Sequence, residues 1–326
     1  MRIQAKQLKP MFNSDPPAWQ REATMVLFIA AVGVVMALAF GYIVYDYCLE
    51  ACYAQHNDII NGTSISPWSY RVLVPYTIEW GGGGASMGSN AAAYLVGHVV
   101  MLPVALFSLY AWLRAGAATG ASLSGVMLIA VTLPLIFHNR YGTGLWSIVE
   151  LAIFCAALLV INRPLVFGFW VMVAAFNRET AVLLPLAYAL WHLPKAGETG
   201  RYALGDRRYW RDVVILFGMW ATVFVGLRLV IGAAPVGYPP QELFIDNVQR
   251  IGEVLLPLAL TVPVVMMIFA GRQMVDAKRR RLLWAAVAYL PLYVVFGSWM
   301  EIRLLLTIVP FVMPVIVAAS VDEPSM

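Results

Sequence analysis

An all-α, polytopic helical membrane protein is the fold class this sequence predicts, and three observations predict it. Of its 326 residues 61% are hydrophobic and only 12% are charged, and the mean hydropathy is +0.75. The apolar residues fall into about ten long runs that are nearly free of charge, as bilayer-crossing helices require. Most Lys and Arg residues collect in the short stretches between those runs, the pattern of orientation signals. No polar stretch is long enough to fold as a separate soluble domain, so residues 23–319 read as one membrane domain between tails at 1–22 and 320–326. The net charge of +4 is modest and sits largely in those loops. It speaks for topology and against a nucleic-acid partner.

The N-terminal tail carries Arg2, Lys6, Lys9 and Arg21 ahead of the first apolar run, 23–46. That run is too long for a removed signal peptide and is followed by no small-residue cleavage site, so it reads as a retained helix. A large loop, 47–88, follows and is expected on the exported side. With the end of the first span it holds Asp46, Glu50, His56, Asp58, Arg71 and Glu79, then the glycine run Gly81 to Gly84. Its segment WSYRVLVPYTIEW is aromatic at both ends and too short to span, which suits the membrane interface. Trp68, Tyr70, Tyr76 and Trp80 there fit an aromatic belt. Cys48 and Cys52, one helical turn apart, are poorly spaced for a disulfide, and with Cys155 they form no metal pattern.

Runs 89–113, 121–137 and 144–162 come next, with HNRYGTG (His138 to Gly144) between the last two and Glu150 two turns into the third. Residues 165–193 are apolar except at their middle, Asn177, Arg178, Glu179 and Thr180. After them come the basic loop PKAGETGRYALGDRRYWR and the run 212–232. VGYPPQELFIDNVQR opens a helix on Pro239 and Pro240 and spaces Glu242, Asp246 and Arg250 along one face, a pattern that a solvated helix also explains. The runs 251–271, 283–297 and 304–319 complete the chain, with the basic GRQMVDAKRRR and the acidic-basic WMEIRLLLTIVP between them.

Counting positive charges decides how 165–193 is read. If it is two short half-helices, 165–176 and 180–193, a cytoplasmic N-terminus puts 16 of the 22 Lys and Arg residues inside. Outside remain Arg71, Arg140, Arg178, Arg228, Arg250 and Arg303. If it is one span, everything before it flips and the inside count falls to 12. The even count is favoured, with the polar residues at a turn. Each half reaches only about 18 Å at 1.5 Å per residue, against a hydrocarbon core of about 30 Å. Such a turn lies below the surface and needs protein or water around its polar groups, which implies a hydrophilic cavity open to the exported side.

Arginines gathered in a half-buried cavity suit a phosphate, which guanidinium grips with paired hydrogen bonds. A carboxylate nearby that is free of an ion pair can serve as general base. Short helices opening from the bilayer then point to a lipid-linked phosphate carrier as the donor of a transferred group.

The order of a charged first exported loop, a YRxLxP segment (Tyr70, Arg71, Leu73, Pro75), a central RET turn and a late ExR (Glu301, Arg303) before a proline-containing span resembles the C-type (GT-C) integral-membrane glycosyltransferases. The resemblance runs across most of the chain and is to bacterial members of that superfamily. It implies a bacterial inner-membrane enzyme with a polyprenyl-phosphate sugar as donor and a glycan, lipid or protein as acceptor. A carboxylate base near the first exported loop is implied too, here Asp46 or Asp58. Arg71, Arg178 and Arg303, with Tyr70 and Arg140, would bind substrate, and Glu179 and Glu301 would orient the arginines. This chain departs from the family in having no paired acidic motif in that loop and no C-terminal soluble domain. A divalent metal is not required, although His56 and Asp58 offer two ligands. Two other readings share the same features: a transporter or lipid flippase, and a noncatalytic subunit of envelope polysaccharide assembly.

Overall fold

In hydrocarbon every backbone N–H and C=O must find its partner within the protein, so apolar runs of this length fold as helices. The computed structural model describes residues 18–137, 144–193, 206–232, 234, 240–249, 265–296 and 302–319, and among these there is no strand. The helices are α1 (Ala18–Ile60), α2 (Leu73–Trp80), α3 (Met87–Arg114), α4 (Thr119–Phe137), α5 (Leu145–Leu159) and α6 (Pro164–Asn177). They continue with α7 (Leu183–His192), α8 (Arg207–Ile231), α9 (Pro240–Gln249), α10 (265–271), α11 (Ala277–Phe296) and α12 (Val309–Ala319). Short 3-10 segments lie at Trp68–Tyr70, Glu179–Val182 and Ile302–Ile308.

Among the described residues three helices are long and apolar enough to cross a bilayer: Gln20–Ala39 within α1, Met87–Arg114 and Arg207–Ile231. Shorter apolar helices include Leu145–Leu159 and Pro164–Asn177. The long helices turn large apolar side chains outward, among them Leu27, Val35, Val96, Val214 and Val230. Water would penalise such a surface and lipid does not. These are the features of a helical membrane protein.

Inside, α5 is buried along nearly its whole length and forms the axis on which α3 and α6 pack. α1 lies against α3 at Gly33, where a Cβ would sit 2.8 Å from the Pro103 Cα. Only hydrogen fits between these two backbones. Gly33→Val is therefore expected to separate α1 from α3 and cost about 1–3 kcal/mol, the range for overpacking. A wild-type unfolding midpoint for this variant in detergent would refute that contact.

Two elements differ from what the sequence suggests. Hydropathy ends the first span near 46, but α1 runs on to Ile60, 43 residues in all. The continuation, CLEACYAQHNDII, has no Pro or Gly, so polarity ends the membrane segment without ending the helix. Cys52 in this stretch is disulfide-bonded, contrary to the expectation from spacing, while Cys155 is free and buried.

The polar centre of 165–193 does break the helix. α6 starts on Pro164, where a missing N–H costs nothing, and stops at Asn177. Arg178 is extended, with φ −159° and ψ 151°. The two halves fold back as a hairpin: Phe167 meets Tyr188 with ring centroids 5.5 Å apart, and Trp191 Nε1 donates to Asn162 Oδ1 at 3.2 Å.

Charges divide between the two ends of this hairpin. At its open end Lys278 lies 5.6 Å from the Trp191 ring and Arg279 5.6 Å from that of Trp112, the latter close to Arg114 at the end of α3. Arg281 donates to the Leu193 carbonyl, and the start of α8 joins through Tyr209, whose hydroxyl donates to the Ala189 carbonyl at 3.0 Å. Asp276 pairs with Arg279 and Asp212 with Arg211 there, and the remaining cations leave that end basic on balance, whereas the turn end buries its charges as pairs.

Candidate functional site

The break at Arg178 brings the ends of several elements together around the hairpin turn. Asn177 Nδ2 donates to the Trp146 carbonyl at 2.9 Å, which ties the turn to the first turn of α5. Arg178, 3% exposed, then reaches Glu150, 2% exposed, through an Nη1 to Oε2 contact of 2.8 Å, and Ser147 Oγ at 3.3 Å. Glu150 also accepts from Thr180 Oγ1 and, at 2.9 Å, from Thr307 Oγ1 of the 3-10 segment before α12. Each half of this buried pair thus has further hydrogen bonds, the condition under which such a pair is tolerated.

A second layer lies outward of the first and is less enclosed. Arg71 Nη2 donates to Glu179 Oε1 at 2.9 Å, with side-chain exposures of 11% and 33%. The Arg71 Nε is buried and has no hydrogen-bond partner. Arg228, in the last turn of α8, stacks over Tyr70 at 4.2 Å and Phe224 at 3.5 Å from the ring centroids. One of its N–H groups is used by the Phe224 carbonyl. Tyr70 holds this shelf in place by donating its hydroxyl to the Gly232 carbonyl at 3.2 Å and accepting from the Ala234 N–H at 3.4 Å. The Glu179 carboxylate thus sits against the Arg71 guanidinium at the rim of the layer.

Among the described residues, Arg71, Arg178 and Arg228 face Glu150 and Glu179, an excess of one guanidinium. Chemically this is a place for an anion, and a phosphate supplies enough oxygens for both Arg71 and Arg228.

The residues singled out from sequence separate into groups. Tyr70, Arg71, Arg178 and Glu179 do come together at the turn. Arg178, however, which the sequence suggests would face a cavity, is buried against Glu150. Asp46 lies on α1, but its side chain is outside the described residues, as are Arg140, Glu301 and the side chain of Arg303. Asp58 is exposed and ends α1, accepting from Thr63 Oγ1 at 3.1 Å while its carbonyl accepts the Thr63 and Ser64 N–H groups. His56, two residues earlier, points the other way and is fully buried. The two do not fit a shared metal, and among the described residues no group of three or more His, Cys, Asp or Glu is gathered for one. Of the WSYRVLVPYTIEW aromatics, Tyr70 is buried and Trp68 packs on the core, while Tyr76 and Trp80 are exposed, Trp80 at 95%. Only the outer two remain free for an interfacial belt.

The count of positive charges leaves Arg228 on the outer side and gives it no role. Its signal was faint: an arginine one turn before a helix-ending glycine, within reach of whatever aromatic the fold supplied. No family model, curated protein or solved structure matches this chain.

Proposed function

We propose that this protein is a bacterial inner-membrane glycosyltransferase that takes a sugar from a polyprenyl-phosphate donor on the extracytoplasmic side. The observation that carries this reading is the outer layer at the hairpin turn, where Arg71 and Arg228 flank Glu179 with hydrogen-bonding capacity to spare. Guanidinium groups so held grip the donor phosphate and stabilise the charge it gains as the sugar leaves. Tyr70 supports Arg228, and Glu150 fixes Arg178 beneath the layer. Arg140, Glu301 and Arg303, on the same side by charge count, complete the substrate contacts.

The topology that goes with this reading has about ten crossings and a cytoplasmic N-terminus. The ends of α3 and α7 and the start of α11 meet in a basic group, which suits the cytoplasmic face. The mixed-charge layers then lie toward the other face. α6 and α7 are 14 and 10 residues long, or about 21 and 15 Å. Neither reaches across a hydrocarbon core of about 30 Å, so the turn lies where a lipid headgroup drawn slightly inward would meet it.

A broken hairpin with charges at membrane depth also fits a transporter or flippase of the same lipid-linked sugar. One experiment separates the two: purified protein in proteoliposomes with a radiolabelled polyprenyl-phosphate sugar and a mixed pool of glycan and lipid acceptors. Transfer of label to an acceptor supports the enzyme. Movement of intact donor between leaflets without transfer supports the flippase, and neither result leaves a noncatalytic assembly role.

A further inference from the structure

Beside the arginine layers lies a second polar constellation that they do not use. His56, near the end of α1, is fully buried, and both its ring nitrogens are engaged. Nδ1 lies 3.2 Å from the Tyr94 hydroxyl on α3, and Nε2 lies 3.0 Å from Glu79 Oε2 at the end of α2. The His56 and Tyr94 rings meet edge to face at 5.8 Å, which fixes the imidazole plane. One tautomer serves the whole chain: the Tyr94 O–H donates to Nδ1, and the Nε2–H donates to Glu79.

The outer end of this chain is open. The Glu79 side chain is 40% exposed while its imidazole partner is sealed. Gly84, in the run Gly81 to Gly84, lies along one side of it so closely that a Cβ there would collide with the Glu79 carboxylate. The carboxylate is thus held between a buried imidazole and a bare backbone. Glu150 and Glu179 are committed to arginines and Asp58 to Thr63, whereas among the described residues Glu79 is held by His56 and no arginine.

Building on the glycosyl-transfer reading, we infer that Glu79 is the base that accepts the proton of the acceptor hydroxyl, with His56 and Tyr94 as its positioning residues. The two constellations adjoin: the Tyr94 ring lies 6.4 Å from that of Trp146, whose carbonyl accepts from Asn177 at the hairpin turn. The acceptor oxygen bonds to the anomeric carbon as its proton passes to the Glu79 carboxylate. The bond from that carbon to the phosphate oxygen breaks, and its electron pair leaves on the phosphate toward Arg71 and Arg228. Water then takes the proton from Glu79.

The test compares wild type, Glu79→Gln, His56→Gln, Tyr94→Phe and Asp58→Asn for melting in detergent, donor binding and transfer rate across pH. Glu79→Gln is expected to keep its fold and donor affinity and lose transfer by about 10²–10⁴-fold, the range for a general base. His56→Gln, which keeps a donor toward Glu79, is expected to lose about 10-fold and to shift the pH–rate profile, a change that a purely structural histidine would not produce. Asp58→Asn is expected to transfer as wild type does. Loss of transfer in Asp58→Asn, with Glu79→Gln still active, would place the base at Asp58 and overturn the assignment. Should Glu79→Gln fail to fold, Gly84→Ala, which displaces the carboxylate and leaves its charge, is expected to slow transfer with donor binding intact. A folded Glu79→Gln that transfers at the wild-type rate overturns the assignment and leaves the arginine site standing. Wild-type protein that binds donor but transfers to no hydroxyl acceptor overturns both.

Discussion

Glu150→Ala is expected to destabilise the protein by about 3–5 kcal/mol, the cost of leaving one partner of a buried ion pair uncompensated. The Arg178 guanidinium beneath the hairpin turn would keep only Ser147 of the contacts described, and Thr180 and Thr307 would lose their shared acceptor. Unfolding in a denaturing detergent titration, followed by tryptophan fluorescence, reads the loss directly. The paired replacement Glu150→Leu with Arg178→Met is expected to recover most of it, since an apolar pair of similar volume carries no desolvation cost. The coupling between the two sites then comes from the double-mutant cycle. A Glu150→Ala protein that unfolds at the wild-type midpoint would mean that the turn is held by other contacts. Loss of substrate binding in a fully stable double variant would mean that Arg178 touches ligand itself.

That prediction also marks how far sequence carries. Positive charges in the loops favoured two short helices over one long one at 165–193, because a single span would have exported the basic N-terminal tail. The hairpin contacts Phe167–Tyr188 and Trp191–Asn162 agree with the folded-back reading. What no count reaches is which charge meets which. Arg178 finds Glu150 from 28 residues away and Arg71 finds Glu179 from 108, and one glutamate in an apolar stretch looks like another until the helices pack. The end of α1 was missed for a simpler reason: hydropathy marks where lipid stops, whereas helix ends are set by caps and by Gly or Pro. Here that signal comes only after Ile60, where Thr63 and Ser64 N–H groups bond back to the Asp58 carbonyl. With α1 extended in this way, His56 becomes a buried helix residue, and Glu79, one of several loop charges to which the sequence assigns no role, becomes its partner.

Arg71→Lys is the second large effect expected, and it separates charge from geometry. Lysine keeps the cation beside Glu179, whose carboxylate lies 2.9 Å from Arg71 Nη2, so the fold is expected to hold. It cannot reproduce the planar fork, nor the Nε–H that Arg71 keeps buried and without a partner. A phosphate seated there would lose one or two charge-assisted hydrogen bonds, each worth about 1.5–3 kcal/mol, so donor affinity should fall by about 10- to 10⁴-fold. Arg71→Ala should lose at least as much and also melt earlier, because Glu179 then loses its guanidinium. Arg228→Ala should weaken donor binding less, since Arg71 remains to hold the phosphate. Binding of a polyprenyl phosphate without sugar reads this site apart from any chemistry, and it is expected to follow the same order. Full affinity in Arg71→Lys would show that the arginine serves only to hold Glu179 and the hairpin turn, and the donor phosphate would have to be sought elsewhere on the same face.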